Sequence, residues 1–350
     1  MKDWMGKSKA IFLLGSLALI LAGCGKENLS ALMPKGYGAD TSMDLIILSL
    51  IVMTFVFIVV ILVLVIVLSR FRKKKGQEDY IPRQVEGNKT LETVWTVIPI
   101  ILVIILAVPT VAATFDLADD VGSEDGLNIE VTGNQYWWHF NYEGQEVQTS
   151  QDMYIPVGEK VHLNMMASDV IHSFWVPSLT GKMDANPENE NTMYIEAHEE
   201  GVYWGKCAEL CGPSHSLMDF KVIAVSPEEF DQWVEDMQNV DPEEEPQDAV
   251  AQDGKDAFEE NSCMGCHAIG SSPAQVGPNL TAFGDRSKIA GILEPTKENL
   301  VDWIMDPESI KPGNKMTGNY PDLSEEEADS IAEYLMQLQP SEVTPESAGN

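Results

Sequence analysis

Three kinds of hydrophobic pattern follow one another along this chain, and each predicts a different architecture. The first is continuous. Residues 45–68 are apolar throughout except for Ser49 and Thr54, and residues 93–115 form a second apolar run with Pro99 and Pro109 inside it. Each run is long enough to cross the ~30 Å hydrocarbon core of a bilayer as a helix. Between them lie Arg70, Arg72, Lys73, Lys74 and Lys75, followed by Arg83 and Lys89. Basic connections stay in the cytoplasm, so residues 45–115 predict a two-helix hairpin with both outer ends, and everything after them, on the opposite side.

The second pattern alternates. Residues 127–132, 160–166, 192–197 and 220–225 switch between apolar and polar, with Pro, Gly and Asn between the runs. This predicts short antiparallel strands in a β-sandwich or barrel over residues 116–238. Ser226 with Glu229, followed by apolar spacing, predicts a short amphipathic helix at its end. The third pattern is helical. Ile331, Tyr334, Leu335 and Leu338 share a face behind a Ser324–Glu327 capping box, and residues 253–261 predict a further helix. An acidic stretch at residues 239–252, containing Asp241-Pro-Glu-Glu-Glu-Pro246, predicts an extended, self-repelling linker. A helical domain at 253–340 and a tail at 341–350 complete the expected order.

The N-terminus adds a targeting segment. Lys2, Lys7 and Lys9 precede an apolar run at residues 10–21, which ends in Leu21-Ala-Gly-Cys24. A basic flank, a short apolar core and small residues predict a secretory signal, with an uncleaved anchor helix as the alternative. The ending resembles a bacterial lipoprotein signal. That implies removal of residues 1–23, lipidation at Cys24 and an extracytoplasmic segment at 24–44.

Charge narrows the partners. The formal net charge is −33, and residues 116–350 hold 47 acidic against 10 basic side chains. Nucleic acid is therefore excluded as a partner, whereas a basic protein would be attracted at long range.

All five cysteines, at 24, 207, 211, 263 and 266, fall in motifs. Cys207-Ala-Glu-Leu-Cys211-Gly-Pro-Ser-His215-Ser-Leu-Met218 brings two thiols, an imidazole and a thioether into twelve residues. Such soft ligands suit copper in an electron-transfer site. A second thiol four residues on allows two sulfurs to bridge two ions, and His172 in Asp169-Val-Ile-His-Ser-Phe-Trp-Val-Pro177 can supply a second imidazole. A disulfide between Cys207 and Cys211 is the plain alternative.

These two segments resemble the CuA motif and its partner loop in cytochrome c oxidase subunit II, and the likeness runs from the first span to about residue 240. It implies a cupredoxin-like fold in which Cys207 and Cys211 bridge the coppers while His172 and His215 bind one each. Met218 and the Glu209 carbonyl would be weak axial ligands, with the Glu209 carboxylate on a magnesium ion shared with the catalytic subunit. In Leu91-Glu-Thr-Val-Trp-Thr-Val-Ile-Pro99 the family carries a glutamate near a proton-uptake path, which implies that role for Glu92. Tyr136-Trp137-Trp138 occupies the place of the family's electron-receiving aromatics, although the family begins with tryptophan here. Strand side chains alternate faces, so at least one of the three is expected at the surface or against a partner. His139, His162 and His198 match no ligand position.

Cys263-Met-Gly-Cys266-His267 is the c-type haem attachment sequence, although alone it also fits a redox dithiol or half of a zinc site. Gly277-Pro-Asn-Leu280 and Gly313-Asn-Lys-Met316 resemble the supporting loop and ligand loop of class I cytochromes c. They imply a haem bound by Cys263, Cys266, His267 and Met316, with Met305 as the other candidate for the sixth ligand. A His/Met pair raises the haem potential, as suits a donor to copper.

The whole resembles a caa-type subunit II: a membrane hairpin, an all-β cupredoxin-like domain and an all-α class I cytochrome c domain. The resemblance implies an electron relay to the catalytic subunit of a haem-copper oxidase in a bacterial plasma membrane. Reduced cytochrome c or a quinol-linked complex would be the donor. The CuA subunit of a nitric oxide reductase and a copper-delivery module are the competing assignments.

Overall fold

The computed structural model describes residues 12–13, 15–16, 27–72, 86–118, 126–246, 248–271 and 276–348. Cys24, most of the signal segment and residues 73–85 of the basic connection lie outside them. The two apolar runs form helices α1 (Tyr37–Phe71) and α2 (Lys89–Leu117), both long and apolar enough to cross a membrane. Their Leu, Ile, Val and Phe side chains point outward, the inverse of a soluble helix pair.

Helix α1 starts earlier than the apolar run. Its first turns hold the small residues Gly38 and Ala39, which are buried against the neighbouring β domain. There the chain is stitched down. The Lys35 amide donates to the Ser178 carbonyl at 2.7 Å, Ala39 to Leu179 at 3.1 Å, and His198 to the Lys35 carbonyl at 2.9 Å. Tyr37 Oη donates to Asp116 Oδ2 at 2.7 Å, which ties the same end of α2 to α1.

The alternating region forms ten strands: β1 (Leu127–Asn134), β2 (Trp137–Tyr142), β3 (Val147–Ser150), β4 (Asp152–Pro156), β5 (Val161–Ala167), β6 (His172–Trp175), β7 (Lys182–Ala185), β8 (Asn191–Ile195), β9 (Gly201–Cys207) and β10 (Phe220–Val225). They make two five-stranded sheets, ordered β3-β2-β1-β5-β8 and β4-β10-β9-β6-β7. The sandwich is as expected; its fully antiparallel pairing is not. β1 lies parallel to β5, and β10 lies parallel to β4. Alternation reports which face of a strand is buried and carries nothing about the direction of its neighbour, so this feature was invisible in the sequence.

Between the sheets Trp138, Phe174 and Phe220 pack with ring centroids 5.7, 5.3 and 4.6 Å apart. Helix α3 (Pro227–Gln238), with the Ser226–Glu229 capping box in place, closes the far side of the β domain. Its Trp233 stacks on Tyr154 at 4.5 Å. Aromatic pairs of this kind add about 0.5–1.5 kcal/mol beyond area burial.

The C-terminal domain has a separate core. It is built on α4 (Ala249–Glu260), α5 (Lys297–Met305) and α6 (Glu325–Met336), and α6 is capped by Ser324 and Glu327 as predicted. Helix α4 starts about one turn before the expected residue 253, because the linker residue Asp248 serves as its cap and accepts from the Ala251 amide at 3.2 Å. The described part of the linker is not freely extended either. Buried Lys255 donates to the Glu244 carbonyl at 3.1 Å and lies 3.6 Å from the Glu245 carboxylate. One internal cation is thus enough to fold an acidic segment back on its helix.

Candidate metal centres

One cluster of donors lies at an end of the second sheet. β6 begins at His172, β9 ends at Cys207, and the strands pair with Phe174 opposite Cys207. Sheet register therefore fixes the spacing between this imidazole and this thiol. The loop over residues 208–219 supplies Cys211, His215 at the head of a single 3-10 turn, and Met218. Cys207 Sγ lies 4.0 Å from Cys211 Sγ, 3.9 Å from His172 Nδ1 and 3.2 Å from the Glu209 carbonyl. Cys211 Sγ lies 3.6 Å from His215 Nδ1 and 3.4 Å from Met218 Sδ. All six donors expected from the sequence meet here. The Glu209 carboxylate, by contrast, is exposed.

Both cysteines are free, and their separation is about twice the ~2.05 Å of a disulfide. Two sulfurs with an imidazole beside each, a thioether and a carbonyl make a donor set that fits a binuclear copper centre.

The surroundings favour the ionised form of one thiol first. Burial pushes both thiols up, but His172 and backbone groups of Ser173 and Glu209 bring Cys207 below its ordinary value. Cys211 is raised by burial and by the charge on Cys207. His172 Nε2 pairs with Asp169 Oδ1 at 2.9 Å, which leaves Nδ1 facing the sulfurs. Burial opposes protonation of His172, yet Asp169 and Cys207 outweigh it and raise its pKa. Asp169 also accepts from the amides of Gln135 and Val170 at 2.9 and 2.8 Å, and from Lys315 Nζ at 2.7 Å. Burial pushes its carboxyl up, but His172, Lys315 and the two amides hold it well below the usual range.

The second site is an apolar cleft in the helical domain, lined by Cys263, Cys266, His267 and Met316 together with Leu280, Leu300 and Leu335. His267 Nδ1 donates to the Pro278 carbonyl at 2.9 Å, so Nε2 is the nitrogen left to bind a metal. Burial lowers the His267 pKa, which keeps the ring neutral. The Gly277-Pro-Asn-Leu280 loop hugs this ring: a Cβ on Gly277 would stand 2.8 Å from His267 Cε1. Met305 ends α5 with an exposed side chain and does not line the cleft, whereas Met316 does. Two thiols, a neutral imidazole and a thioether around an apolar cleft fit a covalently attached haem.

The cleft is not closed by its own domain. Gln135, Tyr136, Trp137 and Gln151 of the β domain complete its wall. Tyr136 precedes β2 and so escapes strand alternation. It is buried, with its hydroxyl where a Cβ on Gly212 would meet it at 2.5 Å, and Gly212 sits at a φ of +136° that favours glycine. Trp137 is half-buried, and Trp138 is fully buried with its ring 5.9 Å from that of His172. The aromatic expected against a partner thus faces another domain of its own chain.

Glu92 lies exposed in the first turn of α2, at the opposite end of the hairpin from the stitches. His139 and His162 sit in strands and His198 lies 3.2 Å from Asp40, all apart from both clusters. Two further residues at the site, Asp169 and Lys311, were not among the sequence's candidates, and Lys311 joins the two domains. Asp169 had a signal, an acid three residues before a ligand histidine; Lys311 had none.

Comparison with known proteins agrees with this geometry. Residues 40–113 match the family model for the transmembrane domain of cytochrome c oxidase subunit II, residues 143–225 its periplasmic domain, and residues 251–339 cytochrome c. The chain is 53% identical to a cytochrome c oxidase subunit 2 of Alkalihalophilus pseudofirmus, over 97% of this chain and 99% of that one. It is 46% identical to the subunit 2 of Bacillus subtilis, over 96% and 98%. A quinol oxidase subunit 2 of Bacillus cereus is 32% identical over 67% of this chain and 81% of its own length. The chain belongs to the cytochrome c oxidase subunit II family, in the form with a cytochrome c domain that implies haem c beside CuA, and is an electron-transfer subunit of a membrane-bound haem-copper oxidase.

Proposed function

We propose that the two clusters act in series within one chain, the haem cleft receiving electrons and the copper loops passing them to catalytic subunit I. In this assignment Cys207, Cys211, His172, His215, Met218 and the Glu209 carbonyl would together hold two copper ions. Cys263, Cys266, His267 and Met316 would hold the haem. When bound, each of the two groups takes up and releases one electron. The chain's own contribution is position. Sheet register holds His172 against Cys207, Asp169 fixes the His172 ring, and the Pro278 carbonyl fixes His267. Tyr136, Trp137 and Trp138 run from the cleft wall to the His172 ring and serve as the electron-receiving aromatics.

The observation that carries this assignment is the shared wall: a β-domain aromatic segment that ends beside a copper-type ligand also lines the haem cleft. Supporting it is the acidic surface, which suits a basic cytochrome as donor; a quinol-linked complex is the other source. The positive-inside pattern supports an extracytoplasmic side for both metal domains, and the Leu21-Ala-Gly-Cys24 ending supports Cys24 as lipid anchor. Magnesium at Glu209 and proton uptake near Glu92 rest on the family resemblance.

The test is the purified complex fed with ascorbate and a mediator. Cyanide-sensitive oxygen uptake, a covalent haem and a mixed-valence copper signal that Cys211→Ser abolishes are expected. Nitric oxide uptake in place of oxygen would move the chain to the reductase branch, and a lone or absent copper would overturn the series arrangement.

A further inference from the structure

The two domains meet along a shared face that includes Asn279 on Ser150 and Lys221 on Ser287, and one short segment of it, residues 311–313, lies just before Met316. Lys311 is only 3% exposed, and its Nζ donates across the domain boundary to the Tyr136 carbonyl at 2.7 Å. It donates also to the Ala290 carbonyl of its own domain at 2.8 Å. The next residue, Pro312, accepts from Ser214 Oγ at 2.7 Å, and Ser214 is fully buried beside His215. A Cβ on Gly313 would lie 3.4 Å from Tyr136 Oη. The loop bearing the haem's methionine is thus bonded to the loop bearing a copper ligand, with Tyr136 held between them.

A lysine in this position is not a generic surface contact. Burial pushes its ammonium down to about 7, against the pull of Asp219. Even the neutral amine has two N–H groups for the two carbonyls it meets. An aliphatic side chain would fill the space and leave both carbonyls without this donor, and both belong to residues that line the haem cleft. Of the other cross-domain cations among the described residues, Lys221 is buried and donates to Ser287 Oγ, while Lys315 on Asp169 is 45% exposed and therefore open to screening by salt.

We infer that Lys311 is a positioning residue: with Ser214 it clasps the haem domain onto the copper domain, so that electrons pass between the two sites from this docked pose without a domain search. The inference rests on the series assignment above and adds to it a fixed pose and the residues that set it.

The experiment is flash photoreduction of the haem in the purified holo-complex. Arrival of the electron at copper is followed by near-infrared absorption, in buffer and in glycerol. Wild type is expected to transfer at a rate independent of viscosity. Loss of one buried, charge-assisted hydrogen bond corresponds to roughly a tenfold drop in the docked population. Lys311→Met should therefore slow transfer by about tenfold and make it viscosity-dependent, with haem and copper spectra unchanged. Ser214→Ala removes a neutral bond and should slow transfer by about threefold. Because Ser214 lies in the copper domain, this variant carries the test if Lys311→Met fails to retain haem. A viscosity-dependent wild-type rate, or variants at the wild-type rate, would overturn the clasp. Haem reduction in wild type with no electron reaching copper would overturn the series assignment instead.

Discussion

The copper-type cluster and the haem-type cleft are built on opposite principles. At the first, two donors sit at ends of paired strands and the rest follow on one loop, so backbone hydrogen bonds set the geometry before any metal arrives. At the second, the donors lie on connections between helices, and part of the wall is borrowed from the neighbouring domain. The first site is a product of the fold. The second depends on its ligand and on its neighbour for its shape.

The difference can be broken or sharpened by experiment, beginning with the largest effect. Replacing both Cys263 and Cys266 with alanine removes the covalent haem. The helical domain should then lose its own cooperative melting transition and become open to proteolysis, while the β-sandwich transition persists; calorimetry and limited digestion measure both. A haem-free domain that stays resistant would erase the contrast. Next, Trp233→Ala removes the ring stacked on Tyr154 at the far side of the sandwich, and large-to-small core changes of this kind cost about 3–5 kcal/mol. Denaturant unfolding should register that loss while the copper spectrum stays as in wild type. If the spectrum changed as well, the claim that local register holds the site would fail.

Asp169→Asn acts first on the copper site, although it also weakens the ion pair with Lys315 of the haem domain. It weakens the bond that orients His172 and should lower copper affinity by roughly 10–100-fold, the usual cost of losing such a supporting partner. Competition with a copper chelator measures it, with Lys315→Ala as the control for the lost ion pair. The smallest effect is expected at Ser324→Ala, which removes the cap of α6 and should cost the helical domain about 1 kcal/mol. A shift in the sandwich transition instead would mean that the two domains unfold as one.

What the sequence disclosed follows the range of the interactions concerned. Apolar runs, strand alternation, the capping boxes at Ser226 and Ser324 and the closely spaced ligands are local, and all appear in the structure. The preference for Met316 over Met305 rests on the resemblance carried by Gly313, Asn314 and Lys315, and Met316 is the one that lines the cleft. The parallel pairings of β1 with β5 and β4 with β10 were hidden, since pairing direction depends on how distant strands meet. The same holds for Tyr136. Strand alternation does not reach it, because it lies just outside β2 in a turn held against another domain. The linker misled for a different reason: its charge suggested extension, and a buried lysine in the following helix reversed the local balance.

The stitches between the start of α1 and the β domain have a consequence for assembly. Backbone bonds from Lys35 and Ala39, with Tyr37 joined to Asp116, tie the membrane hairpin to the sandwich. The copper loops are therefore carried at a set height and tilt relative to the bilayer. A partner in the same membrane need not find them by tumbling in three dimensions; it has only to slide and rotate within a plane, so most of the orientational cost of docking is removed before the subunits meet.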